Sequence, residues 1–140
     1  MSAHPKKLTD ADYVRLADFR YSLRCFLDFS LKAAATEGLT TQQHQALLVI
    51  RASPGRIASI GRLAERLRIK HNSAVELAQR LEAVGLIERY ASEEDRRSVM
   101  IILTAAGADK LDVLTHTHRR ELAQLSPEIV NLFNSLELDQ

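Results

Sequence analysis

Residues 71–104, "HNSAVELAQRLEAVGLIERYASEEDRRSVMIILT", decide how the rest of the chain is read. In the first half, Ala74, Leu77, Ala78 and Leu81 recur at three- and four-residue spacing. That spacing predicts a helix from about Asn72 to Val84 with one apolar stripe. Gly85 supplies a left-handed cap. The period then drops to two or less. "LIERYA" and "SVMIILT" are short and rich in branched or aromatic side chains, as strands are. The loop between them, "SEEDRR", is too polar to be buried. A helix therefore runs straight into a hairpin.

Upstream, Ser59 is placed to cap a short helix, "IGRLAERL", whose Ile60, Leu63, Ala64 and Leu67 form one stripe. Only about three residues, "RIK", separate it from the next helix. Two helices so closely joined predict a helix-turn-helix, and the hairpin after it is then a wing. Thr40 with Gln43 three residues on fits a capping box for a helix carrying "QQHQALLVIRA", which ends at Pro54-Gly55. Thr9, followed by Asp10 and Asp12, starts a first helix with Leu16, Leu23, Phe26, Leu27 and Leu31 at helical spacing, stopped by Gly38. This helix is long for a small domain, so part of its apolar face is expected to meet a partner chain.

Downstream, Thr104 caps a long helix to roughly Leu125, with Leu111, Leu114, Leu122 and Leu125 on one side. Ser126-Pro127-Glu128 predicts a fresh start: cap, proline at the first helical position, acid in the first turn. Ile129, Val130, Phe133 and Leu136 give this last helix its apolar face. The expected order is four helices, a β-hairpin and two helices. The fold class is mainly α: a winged helix-turn-helix with flanking helices.

The composition allows this. The chain has 140 residues, 46% hydrophobic, with 5 glycines and 3 prolines, which suits one mainly helical domain. No apolar run approaches the roughly 18 residues of a membrane helix. The start, "MSAHPKKLTDADY", has no apolar signal-peptide core, so a cytoplasmic protein is expected. The single cysteine, Cys25, excludes an internal disulfide. A formal net charge of +1 leaves the question of nucleic acid to charge placement.

The placement is suggestive. A helix-turn-helix lays its second helix in the major groove with N-terminal residues toward base edges. Those residues are His71, Asn72, Ser73, Val75, Glu76, Gln79 and Arg80. Asn and Gln suit adenine, Arg suits guanine, Glu accepts from cytosine, and Val touches a thymine methyl. The same polar set could be only the solvated face of an amphipathic helix. The hairpin loop shifts the balance, because an arginine at its tip, Arg96 or Arg97, can enter a narrow minor groove. Asp95 is expected to orient a neighbouring guanidinium. Phosphate contacts are expected from Ser59, Arg62 and Lys70, with Arg56, Arg66 and Arg68 nearby. The surplus of cations over acids between residues 55 and 100 is small, so a dimer that doubles the contacts would help affinity.

At these residues the chain resembles the MarR family of winged-helix transcriptional regulators. The stretches that carry the resemblance are "LTTQQHQALLVI", "SIGRLAERLRI", "SAVELAQRLEAVGLIER" and, most specifically, "DRRSVMIILTAAG". In the last, Asp95, Arg97, Leu103, Thr104 and Gly107 match the family's wing signature one by one. The resemblance implies a homodimer, with about residues 1–38 and 105–140 as dimerisation helices and about 39–104 as the DNA-binding lobe. It implies a pseudo-palindromic operator of double-stranded DNA, with Arg97 as the minor-groove arginine. It also implies a small, often phenolic or aromatic, effector that weakens binding. Position 79 is Gln where many members have Asp, and position 76 is Glu where a basic residue is common.

The remaining chemistry-bearing residues point elsewhere. Cys25 reads as a small buried hydrophobe. His116 and His118 are two apart on a helix, point in different directions and read as surface or interface side chains; no metal is expected. No acid pair, Ser/His/Asp set or glycine-rich phosphate loop stands out, so neither an enzyme nor a cofactor is expected. The first functional reading is a homodimeric, ligand-responsive DNA-binding regulator, a repressor. The alternative is a winged-helix protein-interaction module that does not read DNA.

Overall fold

The computed structural model describes residues 7–136. Five α-helices, one 3-10 turn and three strands follow in the order α1 (Asp10–Thr36), α2 (Thr41–Ala52), η1 (Pro54–Arg56), β1 (Ala58–Ser59), α3 (Ile60–Leu67), α4 (His71–Ala83), β2 (Ile87–Ala91), β3 (Val99–Leu103) and α5 (Ala105–Leu136). Two compact units share these elements: residues 31–116 form one, and the described residues up to Ser30 and from Thr117 onward form the other.

The 31–116 unit is the winged helix. Helices α2 and α3 begin where hydroxyls can satisfy the orphan N–H groups of a first turn. Thr40 Oγ1 accepts from the Gln43 N–H at 3.1 Å, while Gln43 Oε1 accepts from the Thr40 N–H at 2.9 Å. Ser59 Oγ accepts from the Arg62 N–H at 3.0 Å. Three residues, Arg68, Ile69 and Lys70, link α3 to α4. Arg68 takes the left-handed conformation (φ 56°) that closes α3, a conformation unfavourable for a side chain with a Cβ. The core joins Leu47 and Ile50 of α2, Leu63 of α3, Leu81 of α4, Ile87 and Ile101 of the sheet, and Leu111 and Leu114 of α5, all fully buried. Each contributes about 1.5–3 kcal/mol relative to an exposed side chain.

The sheet has the order β1-β3-β2 and is antiparallel throughout. β2 and β3 form the expected hairpin, Ile87 opposite Leu103 and Ala91 opposite Val99. The third strand, β1, is an addition to the sequence reading. Ala58 pairs with Ile101 and Ser59 with Met100, so β3 lies in the middle. Two residues give too short a pattern to announce a strand. The wing base is locked further down. Thr104 Oγ1 donates to the Gly85 carbonyl at 2.6 Å and accepts from the Gly107 N–H at 3.1 Å, and the Thr104 N–H donates to the Leu86 carbonyl at 3.0 Å.

In the second unit, α1 and the distal part of α5 meet around His118. Its ring stands edge-on to Phe26 and Phe29, with centroids 5.9 and 5.6 Å away, and its Nε2 lies 2.8 Å from the buried Ser30 hydroxyl. Asp12 closes the start of α1 by accepting from the Thr9 N–H at 2.8 Å. That bond, then one from the Thr9 hydroxyl, holds its carboxyl below the ordinary range.

Two expectations are corrected here. The separate last helix does not exist: α5 is one helix with Pro127 inside it. Proline removes a single intrahelical donor, the one that would reach the Ala123 carbonyl, and helix on both sides outweighs the local start signal. The side chains of Phe133 and Leu136, expected on that helix's apolar face, lie outside the described residues. Cys25 is exposed rather than buried. It shares an outward face of α1 with Tyr21 one turn earlier, and a hydrogen bond between the two raises the Tyr21 phenol above its ordinary pKa.

Among the described residues, no helix is long and apolar enough to cross a membrane, and no cluster of three or more His, Cys, Asp or Glu could hold a metal ion.

Candidate nucleic-acid interface

Helix α4 divides cleanly. Ala74, Leu77, Ala78 and Leu81 are buried, whereas His71, Asn72, Ser73, Glu76, Gln79 and Arg80 are exposed and Val75 is half-buried. The division follows from the 3.6-residue period: the stripe that packs on α2, α3 and β2 leaves the opposite face to solvent. The N-cap, Lys70, makes no side-chain bond to the helix. The first N–H groups of α4 are therefore left without a capping side chain, beside the exposed Lys70.

At its far end α4 is tied to the wing. Arg89 of β2 donates from Nε and Nη2 to a single oxygen of Glu82, at 3.2 and 2.9 Å. These bonds, more than the charge alone, hold the Glu82 carboxyl below the ordinary range. Helix α4 and the hairpin are thereby joined by a side-chain bridge as well as by the Gly85 turn, whose φ of +78° a residue with a Cβ adopts with difficulty.

The wing tip is polar and exposed from Glu93 to Arg97. Asp95 acts differently from the expectation. Its carboxylate accepts from the Arg97 backbone N–H at 3.0 Å and from the Ser98 hydroxyl at 3.3 Å, an Asx turn that folds the tip. A two-residue separation brings the neighbouring N–H within reach more readily than the end of a long side chain. The guanidinium groups of Arg96 and Arg97 have no partner among the described residues and extend from a tip whose backbone is fixed.

The expected phosphate-contact residues lie at two helix starts, Ser59 and Arg62 at that of α3 and Lys70 at that of α4: Ser59 is half-buried, and Arg62 and Lys70 are exposed. Sequence reasoning missed a residue here. Ser53, 4% exposed, accepts from Arg62 Nε at 2.9 Å and donates to the Val49 carbonyl at 2.7 Å. Nothing in the pattern singles out Ser53, which reads as the polar end of α2.

The same unit carries an open groove of about 560 Å³ beside α4, where Leu31, Leu39 and Leu77 meet Thr40, Gln43 and Arg80. Helix α1 shows a different surface. Tyr13, Leu16, Tyr21, Leu23, Leu27 and Leu31 are all exposed along it, more apolar surface than scattered exposed residues account for.

Known proteins resemble this chain in sequence and in fold. Residues 37–98 match the model of the MarR family. The transcriptional activatory protein BadR of Rhodopseudomonas palustris is 33% identical over 84 residues, 59% of this chain and 48% of that protein. The chain spans about half the length of the curated relatives it matches. AbsC, a MarR family transcriptional regulator from Streptomyces coelicolor, superposes with a TM-score of 0.72 at 22% identity, covering 96% of this chain and 90% of that one. A cysteine-to-serine mutant of MarR from E. coli, complexed with operator DNA, superposes with a TM-score of 0.69 at 18% identity, covering 94% and 97%. The wing and helix-turn-helix described above lie within or beside the matched segment. Residues 37–98 of this chain are thus similar to the MarR family, and the fold around them is that of the superposed regulators.

Proposed function

We propose that the protein is a homodimeric, sequence-specific DNA-binding regulator of transcription, acting as a repressor that responds to a small ligand. The observation that carries this reading is the side-chain segregation of α4 next to a wing whose arginines have no partner among the described residues. His71, Asn72, Ser73, Val75, Glu76, Gln79 and Arg80 form one outward surface that offers donors and acceptors to base edges in a major groove. Arg96 and Arg97 extend from the neighbouring hairpin toward a minor groove, where the phosphate potential is strongest, and Asp95 holds the tip that presents them. Ser59, Arg62, Lys70 and the uncapped start of α4 face the backbone phosphates.

The exposed apolar side of α1 supports pairing with a second copy, and so the division of labour in which about residues 1–38 and 105–140 dimerise and 39–104 bind DNA. Two recognition helices near 34 Å apart would read the halves of a pseudo-palindrome. That doubling makes a small surplus of cations sufficient. The groove beside Arg80, with leucine walls and one cation, suits an aromatic or phenolic effector. A ligand seated there would compete for a side chain that DNA needs and shift the equilibrium toward the free protein. Repression would follow from occupancy of a promoter.

The exposed acids Glu76, Glu93 and Glu94 on the same surface favour a second reading, a protein-interaction module. Selection of bound genomic fragments, followed by affinity measured against salt, separates the two. Enrichment of a palindromic site with steeply salt-dependent affinity is expected of the regulator. Absence of enrichment together with flat salt dependence would favour the module.

A further inference from the structure

We infer that Ser53 is a positioning residue that presets the Arg62 guanidinium for a DNA phosphate, an inference that rests on the DNA-binding reading above. Ser53 terminates α2, nine residues before Arg62 in α3, and is 4% exposed. A hydroxyl has one proton, and here the Val49 carbonyl takes it at 2.7 Å. That donation turns the oxygen's lone pairs outward, where one accepts from Arg62 Nε at 2.9 Å. The Arg62 backbone N–H is bound in turn to Ser59 Oγ at 3.0 Å. The residue is thus fixed at its backbone and again at Nε.

What remains is the terminal edge of the guanidinium. Arg62 is exposed, and its two Nη groups have no partner among the described residues. A planar guanidinium fixed at Nε offers these N–H groups in one direction, a geometry that matches two phosphate oxygens. An unrestrained surface arginine loses rotamer freedom when it grips a phosphate, and the loss weakens binding. Here the ordering is completed on folding, by a buried serine that never touches DNA.

A double-mutant cycle on the full chain tests this, with a labelled duplex of mixed sequence as the probe, because a phosphate contact does not depend on sequence. Ser53→Ala is expected to weaken binding roughly three- to tenfold when Arg62 is present and to have no effect in an Arg62→Ala background. Arg62→Ala is expected to flatten the salt slope by about 0.9 for each site, while Ser53→Ala, which removes no charge, leaves the slope unchanged. Ser53→Thr, which keeps the hydroxyl, is expected to restore affinity. Equal losses from Ser53→Ala in both backgrounds, or no loss in either, would overturn the inference and leave DNA binding standing. A wild-type chain that binds no duplex removes both. Should Ser53→Ala unfold, Ser53→Cys keeps the volume with a poorer acceptor and carries the same expectations. In the free wild-type protein, the Arg62 Nε–H should give a slowly exchanging NMR signal, and rapid exchange of that proton would also overturn the inference.

Discussion

The hydroxyl of Thr104 donates to the carbonyl of Gly85 at 2.6 Å, bonding the residue that ends the wing to the turn that begins it. The signature Leu103-Thr104-x-x-Gly107 has its physical meaning here. Thr104 bonds both the Gly85 carbonyl and the Gly107 N–H, and Gly107 lies so close to Leu86 that a Cβ would overlap the Leu86 carbonyl oxygen.

Gly107→Ala should therefore destabilise the fold, because a backbone atom rather than a flexible side chain stands in the way. Overpacking of this kind costs about 1–3 kcal/mol. A lower midpoint in urea with an unchanged slope is expected; an unchanged midpoint would show that the first turn of α5 can withdraw from Leu86.

The bridge between Glu82 and Arg89 predicts a dependence on acid. The Glu82 carboxyl is held below its ordinary value, chiefly by the hydrogen bonds from Arg89. A group whose pKa is depressed by folding contributes stability above its unfolded value, and that stability disappears as the pH falls through the folded value. Wild-type stability should thus fall on acidification below the ordinary glutamate range, and Glu82→Gln should lose less over the same window. Parallel stability curves for the two proteins would rule the bridge out as a contributor.

Arg97→Ala should weaken duplex binding by on the order of 1–3 kcal/mol while leaving stability unchanged, because the side chain is exposed and unpartnered among the described residues. Asp95→Ala should weaken binding too, by loosening the tip that the Asx turn holds. Fluorescence anisotropy with a labelled operator measures both. Equal affinity of Arg97→Ala and wild type would exclude the wing from the interface.

Leu27→Glu should disrupt pairing through α1, where Leu27 is 50% exposed. Sedimentation should show the variant shifted toward monomer, with a matching loss of affinity for a two-half-site duplex. A variant that sediments as the wild type does would move the dimer interface away from this face of α1.

Much of this architecture is written in short-range signals. The Thr40–Gln43 box, the Ser59 cap and the four-residue stripes of α3 and α4 act over one or two turns, so the sequence alone places their helices to within a residue or so. The features that escaped reading depend on distant partners. β1 exists because β3 arrives to pair with it, and Cys25 is exposed because of how α1 packs. Ser53 matters only once α3 brings Arg62 alongside, and the Lys110 ammonium reaches the Glu37 carbonyl, at 2.6 Å, across most of the winged-helix unit. Pro127 misled for the opposite reason: a strong local signal was overruled by the helix around it.

The central place of β3 bears on how the protein is made. On a ribosome, β1 and the helix-turn-helix emerge well before the strand that must slot between β1 and β2. Until then the sheet has neither of its ladders, and the nascent lobe exposes apolar surface that its mature form conceals. Completion of this unit therefore waits for β3, and fragments that end before Val99 should lack both ladders of the sheet.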